Sequence, residues 1–281
     1  MSHIEFQLFT QEGLPLYAQI WQPSLPYRGV IGLIHGLGEH SGRYAQLATF
    51  LNQAGYVLAA YDLRGHGQSA GPRGHSPQYS SMMEDMSNFL NQMTIRYPNL
   101  PGFLYGNSLG GNLVLNYVLH HRPALHGIVV TAPALQTTFV PPVWKVKLGE
   151  LLYRFWPTFP IPAGLEIDGL SRYPQIVQNY RQDPLIHGRV TARFGIDILQ
   201  AGEWALAHAR NFPLPLLLMH GSADRLTCVQ ASREFAMRVG QRCTLKIWEG
   251  CYHELHHEPE KEQIFNELLQ WLYQFTVDIE Q

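Results

Sequence analysis

The chain has 281 residues, a length that fits either one large domain or two small ones. Hydrophobic residues make up 46% of it and charged residues only 15%, against about 25% in an average soluble protein, so a large buried sheet or an apolar surface patch is expected. With 20 Lys and Arg against 22 Asp and Glu, the formal net charge is −2 and no basic stripe is present, which argues against a nucleic-acid partner.

Short apolar runs, each bounded by Gly, Pro or Asp, predict strands along the chain. Residues 4–10 and 16–21 predict an antiparallel hairpin at one edge of a sheet. Six later runs predict strands buried on both faces: residues 29–35, 56–62, 103–107, 127–132, 214–220 and 244–249. Helical periodicity covers residues 44–54, 79–97, 109–121, 229–239 and 259–275. This alternation predicts an α/β fold, with a mostly parallel eight-stranded sheet and helices on both faces.

Residues 135–211 break the alternation, because no buried strand is predicted there. A structureless loop of that length is improbable, so the segment predicts a helical cap inserted after strand six, with residues 1–134 and 212–281 forming the core. Apolar side chains early in the cap suit an acyl tunnel, a lipid-facing lid or ordinary packing on the core. They are Phe139, Val143, Trp144, Leu148, Leu151, Leu152, Phe155, Trp156 and Phe159.

The run Gly106-Asn-Ser-Leu-Gly110 lies where a predicted strand ends and a predicted helix begins. This strand-turn-helix context is typical of a nucleophile elbow. Side chains at positions 106 and 110 would collide with the neighbouring strand and helix, which explains both glycines. Ser108 would then be exposed at a helix start, where backbone N–H groups and the helix dipole favour a developing anion. The sequence therefore predicts Ser108 as the nucleophile of an α/β-hydrolase fold.

Ser108 needs a histidine that takes its proton and a carboxylate that orients the histidine. In this fold the three residues follow the chain order Ser, acid, His. Asp224, just past the strand at 214–220, is the predicted acid; an ordinary turn aspartate is the alternative, and Glu249 is the reserve candidate. His253 is the predicted base, because it lies nearest the strand at 244–249 among the histidines beyond Asp224.

The run His253-Glu-Leu-His-His257 also matches the zinc pattern His-Glu-x-x-His. That pattern binds metal only inside a helix, where residues i and i+4 share a face. Pro259 suits the first turn of the following helix, so the run is expected in the loop before it. No metal site is therefore predicted.

The acyl-transfer reaction needs two hydrogen-bond donors for its oxyanion. The elbow supplies the N–H of Leu109, and the loop His35-Gly-Leu-Gly38 after an early strand is placed to supply the N–H of Leu37. A plain glycine turn is the alternative for this loop.

Four features occur together: residues 35–44 (HGLGEHSGRY), residues 62–69 (DLRGHGQS) followed by GPRG at 71–74, the serine elbow, and His253 with its surroundings. In this combination the chain resembles the monoacylglycerol lipase and lysophospholipase family of α/β-hydrolases. The resemblance covers most of the chain outside the cap. One departure is Asn107, where many relatives have His or Glu; its side chain is not part of the triad.

The resemblance implies that Glu39, Arg43 and His256 lie at the alcohol-binding end of the site. Glycerol hydroxyls need paired polar groups inside an otherwise apolar pocket, which agrees with this assignment. The alternative is an i,i+4 surface ion pair between Glu39 and Arg43 that leaves His256 solvated.

The motifs together predict a serine esterase that hydrolyses single-chain lipid esters, first of all monoacylglycerol, without a cofactor. A lysophospholipase, a carboxylesterase for small or aromatic esters, and a non-catalytic binding relative are the alternatives. The first ten residues lack a secretory pattern, no apolar run approaches the roughly 20 residues that span a bilayer, and three cysteines do not make a disulfide framework. We therefore expect a cytoplasmic protein, with peripheral membrane contact through the cap left open. The sequence sets no oligomeric state.

Overall fold

An eight-stranded sheet forms the centre of the computed structural model, which describes residues 2–24, 26–138 and 143–276, without the side chains of residues 143–146, 148 and 150. In chain order the strands are β1 (Ser2–Phe9), β2 (Pro15–Gln22), β3 (Gly29–Ile34), β4 (Tyr56–Tyr61), β5 (Gly102–Asn107), β6 (Gly127–Thr131), β7 (Pro160–Pro162), β8 (Arg189–Thr191), β9 (Leu216–Gly221) and β10 (Cys243–Trp248). Strands β7 and β8 pair only with each other.

The order of strands in the sheet is β1-β2-β4-β3-β5-β6-β9-β10. The first two strands form the predicted antiparallel hairpin at one edge, β2 is antiparallel to β4, and all later pairs are parallel. This topology confirms the predicted α/β fold with a mostly parallel sheet.

Burial explains why most of the strands could be predicted from apolar runs. Every residue of β3, β4, β6 and β9 is buried, as expected for parallel strands covered on both faces. The same prediction for residues 244–249 is wrong. Strand β10 lies at the sheet edge, and its residues alternate between exposed and half-buried positions.

Helices cover both faces of the sheet. They are α1 (Ala45–Gln53), α2 (Tyr79–Arg96), α3 (Leu109–His121), α4 (Val143–Phe155), α5 (Pro174–Gln182), α6 (Ala192–His208), α7 (Val229–Val239) and α8 (Lys261–Tyr273). Apolar side chains of α1 and α8 form the core on one face, and those of α2, α3, α6 and α7 form it on the other. Helix α8 begins two residues after Pro259, so this proline lies in the preceding turn and not, as predicted, in the first helical turn.

The segment between β6 and β9 contains α4, α5, α6 and the β7–β8 pair. Helix α6 packs along α3, where the side-chain amides of Asn112 and Asn116 donate to the carbonyls of Ile198 and Ala201. Position 139 lies outside the described residues. Across the described helices, none combines the length and apolar character needed to cross a membrane.

Two contacts connect this segment to the loop after β3. The N–H of His187 donates to the carbonyl of Gly38 at 3.0 Å, and the imidazole of His40 contacts Asp183 at 3.0 Å. The segment therefore lies over the carboxyl ends of the strands.

Candidate active site

Ser108 occupies a strained turn between β5 and α3. Its backbone φ of 55° is positive, which is uncommon for a residue with a side chain. A Cβ at position 106 would lie 2.4 Å from the carbonyl oxygen of Gly110, and one at position 110 would lie 2.0 Å from that of Ile34. Only glycine fits at either position, because both obstacles are backbone atoms. The turn thus presents Ser108 at the first turn of α3.

Asp224 lies in the turn after β9, where five donors surround its carboxylate. Oδ1 accepts from the N–H groups of Leu226 and Thr227, and Oδ2 accepts from the hydroxyl of Thr227 and from the rings of His220 and His253. Burial opposes ionisation, but the nearby His253 and the hydrogen bonds from both histidines lower the pKa of Asp224 far below its usual value. The carboxylate is therefore ionised and fixed in place. The reserve candidate, Glu249, is exposed.

His253 is buried, and its Nδ1 lies 2.7 Å from Oδ2 of Asp224. Because a carboxylate only accepts, Nδ1 carries the proton and Nε2 is the basic nitrogen. Burial disfavours the imidazolium, yet the Asp224 carboxylate outweighs it and raises the pKa of His253. His253 and Ser108 line the same cavity.

The loop after β3 lies against the turn that carries Ser108. An added Cβ at Gly36 would lie 3.3 Å from the Cβ of Ser108, and Leu37 lines the cavity. Among the described residues, the N–H groups of Leu37 and Leu109 have no hydrogen-bond partner. The carboxylate of Glu39 accepts the N–H of Gly36 at 2.6 Å and so fixes this loop.

Glu39, Arg43 and Glu254 form a buried charge network beside the cavity. The guanidinium of Arg43 donates to Glu39 at 2.7 Å and to both carboxylate oxygens of Glu254, and it stacks on the ring of Tyr180 at 4.8 Å. The expected i,i+4 pair exists, but its placement at the surface is wrong, because both side chains are less than a tenth exposed. Burial opposes the charge of Glu254, but Arg43 keeps the pKa of this carboxyl well below its usual value.

His256 is buried rather than solvated, which contradicts the surface alternative. Its ring stacks on Tyr44 at 4.4 Å and lies 4.2 Å from the ring of His257. Among the described residues neither ring nitrogen has a hydrogen-bond partner, and burial holds the pKa of His256 well below its usual value.

The zinc-like run does not form a helix that would place its histidines on one face. His253 lies in a bend, and only Leu255–His257 form a short 3₁₀ helix. Ligand atoms of Glu254, His256 and His257 do lie within 4.8 Å of one another. The guanidinium of Arg43, however, already binds the Glu254 carboxylate where a cation would bind.

The cavity beside Ser108 has a volume of about 20 Å³. The residues that line it are Gly36, Leu37, Glu39, Asn107, Ser108, Leu165, Leu170, Tyr180, Leu226, His253 and Glu254. Arg43 and His256 are not among them and lie behind Glu39 and Glu254. A larger surface pocket, about 570 Å³, lies near Arg172 and Arg181 and does not include Ser108. We assign the chemistry to the smaller cavity, because only it contains Ser108 and His253.

Polar residues of this site that the sequence prediction did not include are Glu254, Tyr180 and His220. Glu254 and Tyr180 line the cavity, and His220 contacts Asp224. Two of these residues have a sequence signal. Glu254 directly follows His253, and His220 lies four residues before Asp224. Tyr180 gives no such signal, because its position depends on how α5, in the segment between β6 and β9, packs against the loop after β3.

Comparisons with known proteins agree with this geometry. A family model described as "Serine aminopeptidase, S33" matches residues 26–260. A monoacylglycerol lipase of Mycolicibacterium smegmatis is 33% identical, over 92% of this chain and 93% of that protein. The crystal structure of a monoacylglycerol lipase from Paleococcus ferrophilus superposes with a TM-score of 0.85 at 33% identity, over 92% of this chain and 99% of that one.

An abhydrolase domain-containing protein of Dictyostelium discoideum is 35% identical over 94% of this chain, which spans only 28% of that longer protein. The matches to the family model and to the two lipases extend over most of this chain. The chain therefore belongs to the monoacylglycerol lipase family of α/β-hydrolases, a family of carboxylic ester hydrolases.

Proposed function

We propose that this protein hydrolyses monoacylglycerol to glycerol and a free fatty acid, with Ser108, His253 and Asp224 as its catalytic triad. The observation that carries the proposal is that His253, whose Nδ1 lies 2.7 Å from Asp224, lines the same cavity as Ser108. The two lipases at 33% identity support the choice of substrate.

In this mechanism His253 Nε2 takes the hydroxyl proton of Ser108 as Oγ attacks the ester carbonyl carbon. The carbonyl oxygen becomes an oxyanion, which accepts from the N–H groups of Leu37 and Leu109. The imidazolium of His253, stabilised by Asp224, then protonates the departing glycerol oxygen and leaves an acyl-serine. Water, deprotonated by His253, hydrolyses the acyl-serine and releases the fatty acid.

We assign the alcohol end of the site to Glu39 and Glu254, whose carboxylates border the cavity and can accept hydrogen bonds from glycerol hydroxyls. Arg43 donates to both carboxylates, and the ring of His256 packs against the rings of Tyr44 and His257. Two carboxylates against one guanidinium leave this end with an excess of negative charge. A neutral glycerol group fits such a site better than the phosphate of a lysophospholipid, which the carboxylates would repel.

Peripheral contact with a lipid surface is part of the proposal. At the end of α4 the side chains of Phe155 and Trp156 are 71% and 59% exposed, and Leu151 is 54% exposed. None of them lines the described cavity, so the tunnel alternative has no support at these positions. Exposed Lys147 and Arg154 lie on the same helix, which suits an anionic lipid surface.

The test compares hydrolysis of monoolein, lysophosphatidylcholine and a p-nitrophenyl ester of the same acyl chain. We expect kcat/KM for monoolein to exceed that for lysophosphatidylcholine by about tenfold or more, since one unfavourable charge contact of about 1.4 kcal/mol is sufficient for that ratio. Ser108→Ala should lower kcat on every substrate by roughly 10³-fold or more with the fold retained.

Near-normal turnover by a purified Ser108→Ala enzyme would contradict the assigned nucleophile. A preference for lysophosphatidylcholine would make the protein a lysophospholipase that uses the same triad. A preference for acetate over octanoate esters would favour a small-ester carboxylesterase.

A further inference from the structure

Asp224 is held by a second histidine, His220, at the end of β9. The imidazole of His220 is fully buried, and its Nε2 lies 3.0 Å from Oδ2 of Asp224, the oxygen that also accepts from His253. On the other side of the ring, Nδ1 lies 2.7 Å from the hydroxyl of the buried Ser232 on α7. Both ring nitrogens therefore have partners.

The chemistry of these partners fixes the orientation of the His220 proton. A carboxylate oxygen only accepts, so Nε2 must donate to Asp224. In the neutral ring Nδ1 is then an acceptor, and the Ser232 hydroxyl donates to it. Ser232 thus donates to His220 and His220 donates to Asp224, whose Oδ2 also accepts from Nδ1 of His253.

We propose that His220 is a positioning residue of the hydrolytic reaction: it orients the Asp224 carboxylate towards His253 and withdraws part of its negative charge. The inference rests on the proposed triad. His220 does not line the cavity and is not expected to touch the substrate. The other groups that face Oδ2 are the hydroxyl of Thr227 and the ring of His253 itself.

Loss of His220 should therefore strengthen the pull of Asp224 on the His253 proton. With one donor fewer, the carboxylate stabilises the imidazolium more, so His253 becomes neutral only at a higher pH. The base must be neutral to accept the serine proton. The acid limb of the kcat/KM profile should consequently move to higher pH in His220→Leu, on the order of half a pH unit.

The same variant should lower the plateau kcat roughly tenfold with KM nearly unchanged, because the lost hydrogen bond does not contact substrate. His220→Gln, whose amide can still donate to Asp224, should restore most of the wild-type profile. Ser232→Ala removes the hydroxyl that fixes the His220 ring. It should also shift the acid limb of the kcat/KM profile to higher pH, by a smaller amount than His220→Leu. It also provides the test if His220→Leu does not fold.

Met219→Leu is the matched control, since Met219 is the neighbouring residue of β9 and packs on the opposite face of the sheet. It should leave the pH profile unchanged. A folded His220→Leu enzyme with a lower melting temperature but an unmoved acid limb would overturn the proposal. This result is distinct from failure of the proposed function, because all profiles are measured on activity that Ser108→Ala abolishes.

Discussion

His253 lies between two opposing influences on its proton. Burial disfavours its charged form, and the Asp224 carboxylate at 2.7 Å favours that form more strongly, so the pKa of His253 lies above its ordinary value. In the proposed mechanism the neutral ring accepts the serine proton, so activity needs it. Activity should therefore rise with pH through this raised pKa and be lost below it.

Asp224→Asn removes the charge that raises the pKa of His253 and leaves the burial that lowers it. We expect the acid limb of kcat/KM to move to lower pH, opposite to the shift in His220→Leu, while the plateau kcat falls roughly 10³- to 10⁴-fold. Steady-state rates over the acidic and neutral range measure both effects. An unchanged or raised limb in Asp224→Asn would show that another group sets the charge of His253.

The three triad candidates could be predicted because each lies in the turn or loop that follows a predicted strand. Their chain order then restricted the acid and the base to few positions. The buried network around Arg43 could not be predicted in the same way. Its environment depends on Tyr180 of α5, a helix more than 130 positions away in the chain, and an i,i+4 pair looks the same in sequence whether it is exposed or covered.

Helix α3 shows how one element determines the position of Ser108, the proposed nucleophile. It packs so closely behind β3 that a Cβ at Gly110 would meet the carbonyl oxygen of Ile34 at 2.0 Å. Backbone atoms of a central strand cannot move aside without displacing their neighbours in the sheet. The close approach of α3 to β3 therefore fixes the height of Ser108 above the sheet.

Gly110→Ala should lower the free energy of unfolding by about 2 kcal/mol or more, the upper part of the range for overpacked cores. Gly149→Ala is the control, because the nearest atom to a Cβ there is a flexible Ile196 methyl at 3.7 Å. This change within α4 should stabilise the protein by up to about 1 kcal/mol through helix propensity. Chemical denaturation compares the two variants. Equal stabilities would contradict the steric role of Gly110.

The elements of the sheet were more predictable than those of the segment between β6 and β9. Strands covered on both faces produce continuous apolar runs, whereas the three-residue strand β7 is Pro-Ile-Pro and has no strand signal in its sequence. Strand β10 reads Cys-Thr-Leu-Lys-Ile-Trp, and its alternation of polar and apolar residues is typical of a half-exposed strand, although the strand was predicted to be buried on both faces. Edge position depends on the topology of the whole sheet.

At the scale of the whole molecule, the exposed aromatic residues at the end of α4 predict binding to lipid. Wild-type protein should co-sediment with vesicles that contain anionic lipid, and the double change Phe155→Ala with Trp156→Ala should weaken this binding roughly tenfold or more, since burying each ring contributes over 1 kcal/mol. Met237→Ala is the control, because Met237 is 75% exposed on α7 outside the cap. Equal binding by wild type and the double variant would rule out this docking surface.

The cavity of about 20 Å³ beside Ser108 has room for one water molecule, whereas a fatty acyl chain is many times larger. If the acyl chain enters through a wider, open conformer, in which Leu165, Leu170 and Leu226 have separated, the population of that conformer sets the affinity for substrate. The apparent dissociation constant is the intrinsic one divided by the fraction of molecules in that open conformer. A lipid surface that binds the open conformer more tightly raises this fraction and so the affinity for substrate. By thermodynamic reciprocity, the substrate-loaded enzyme then binds that surface more tightly by the same factor.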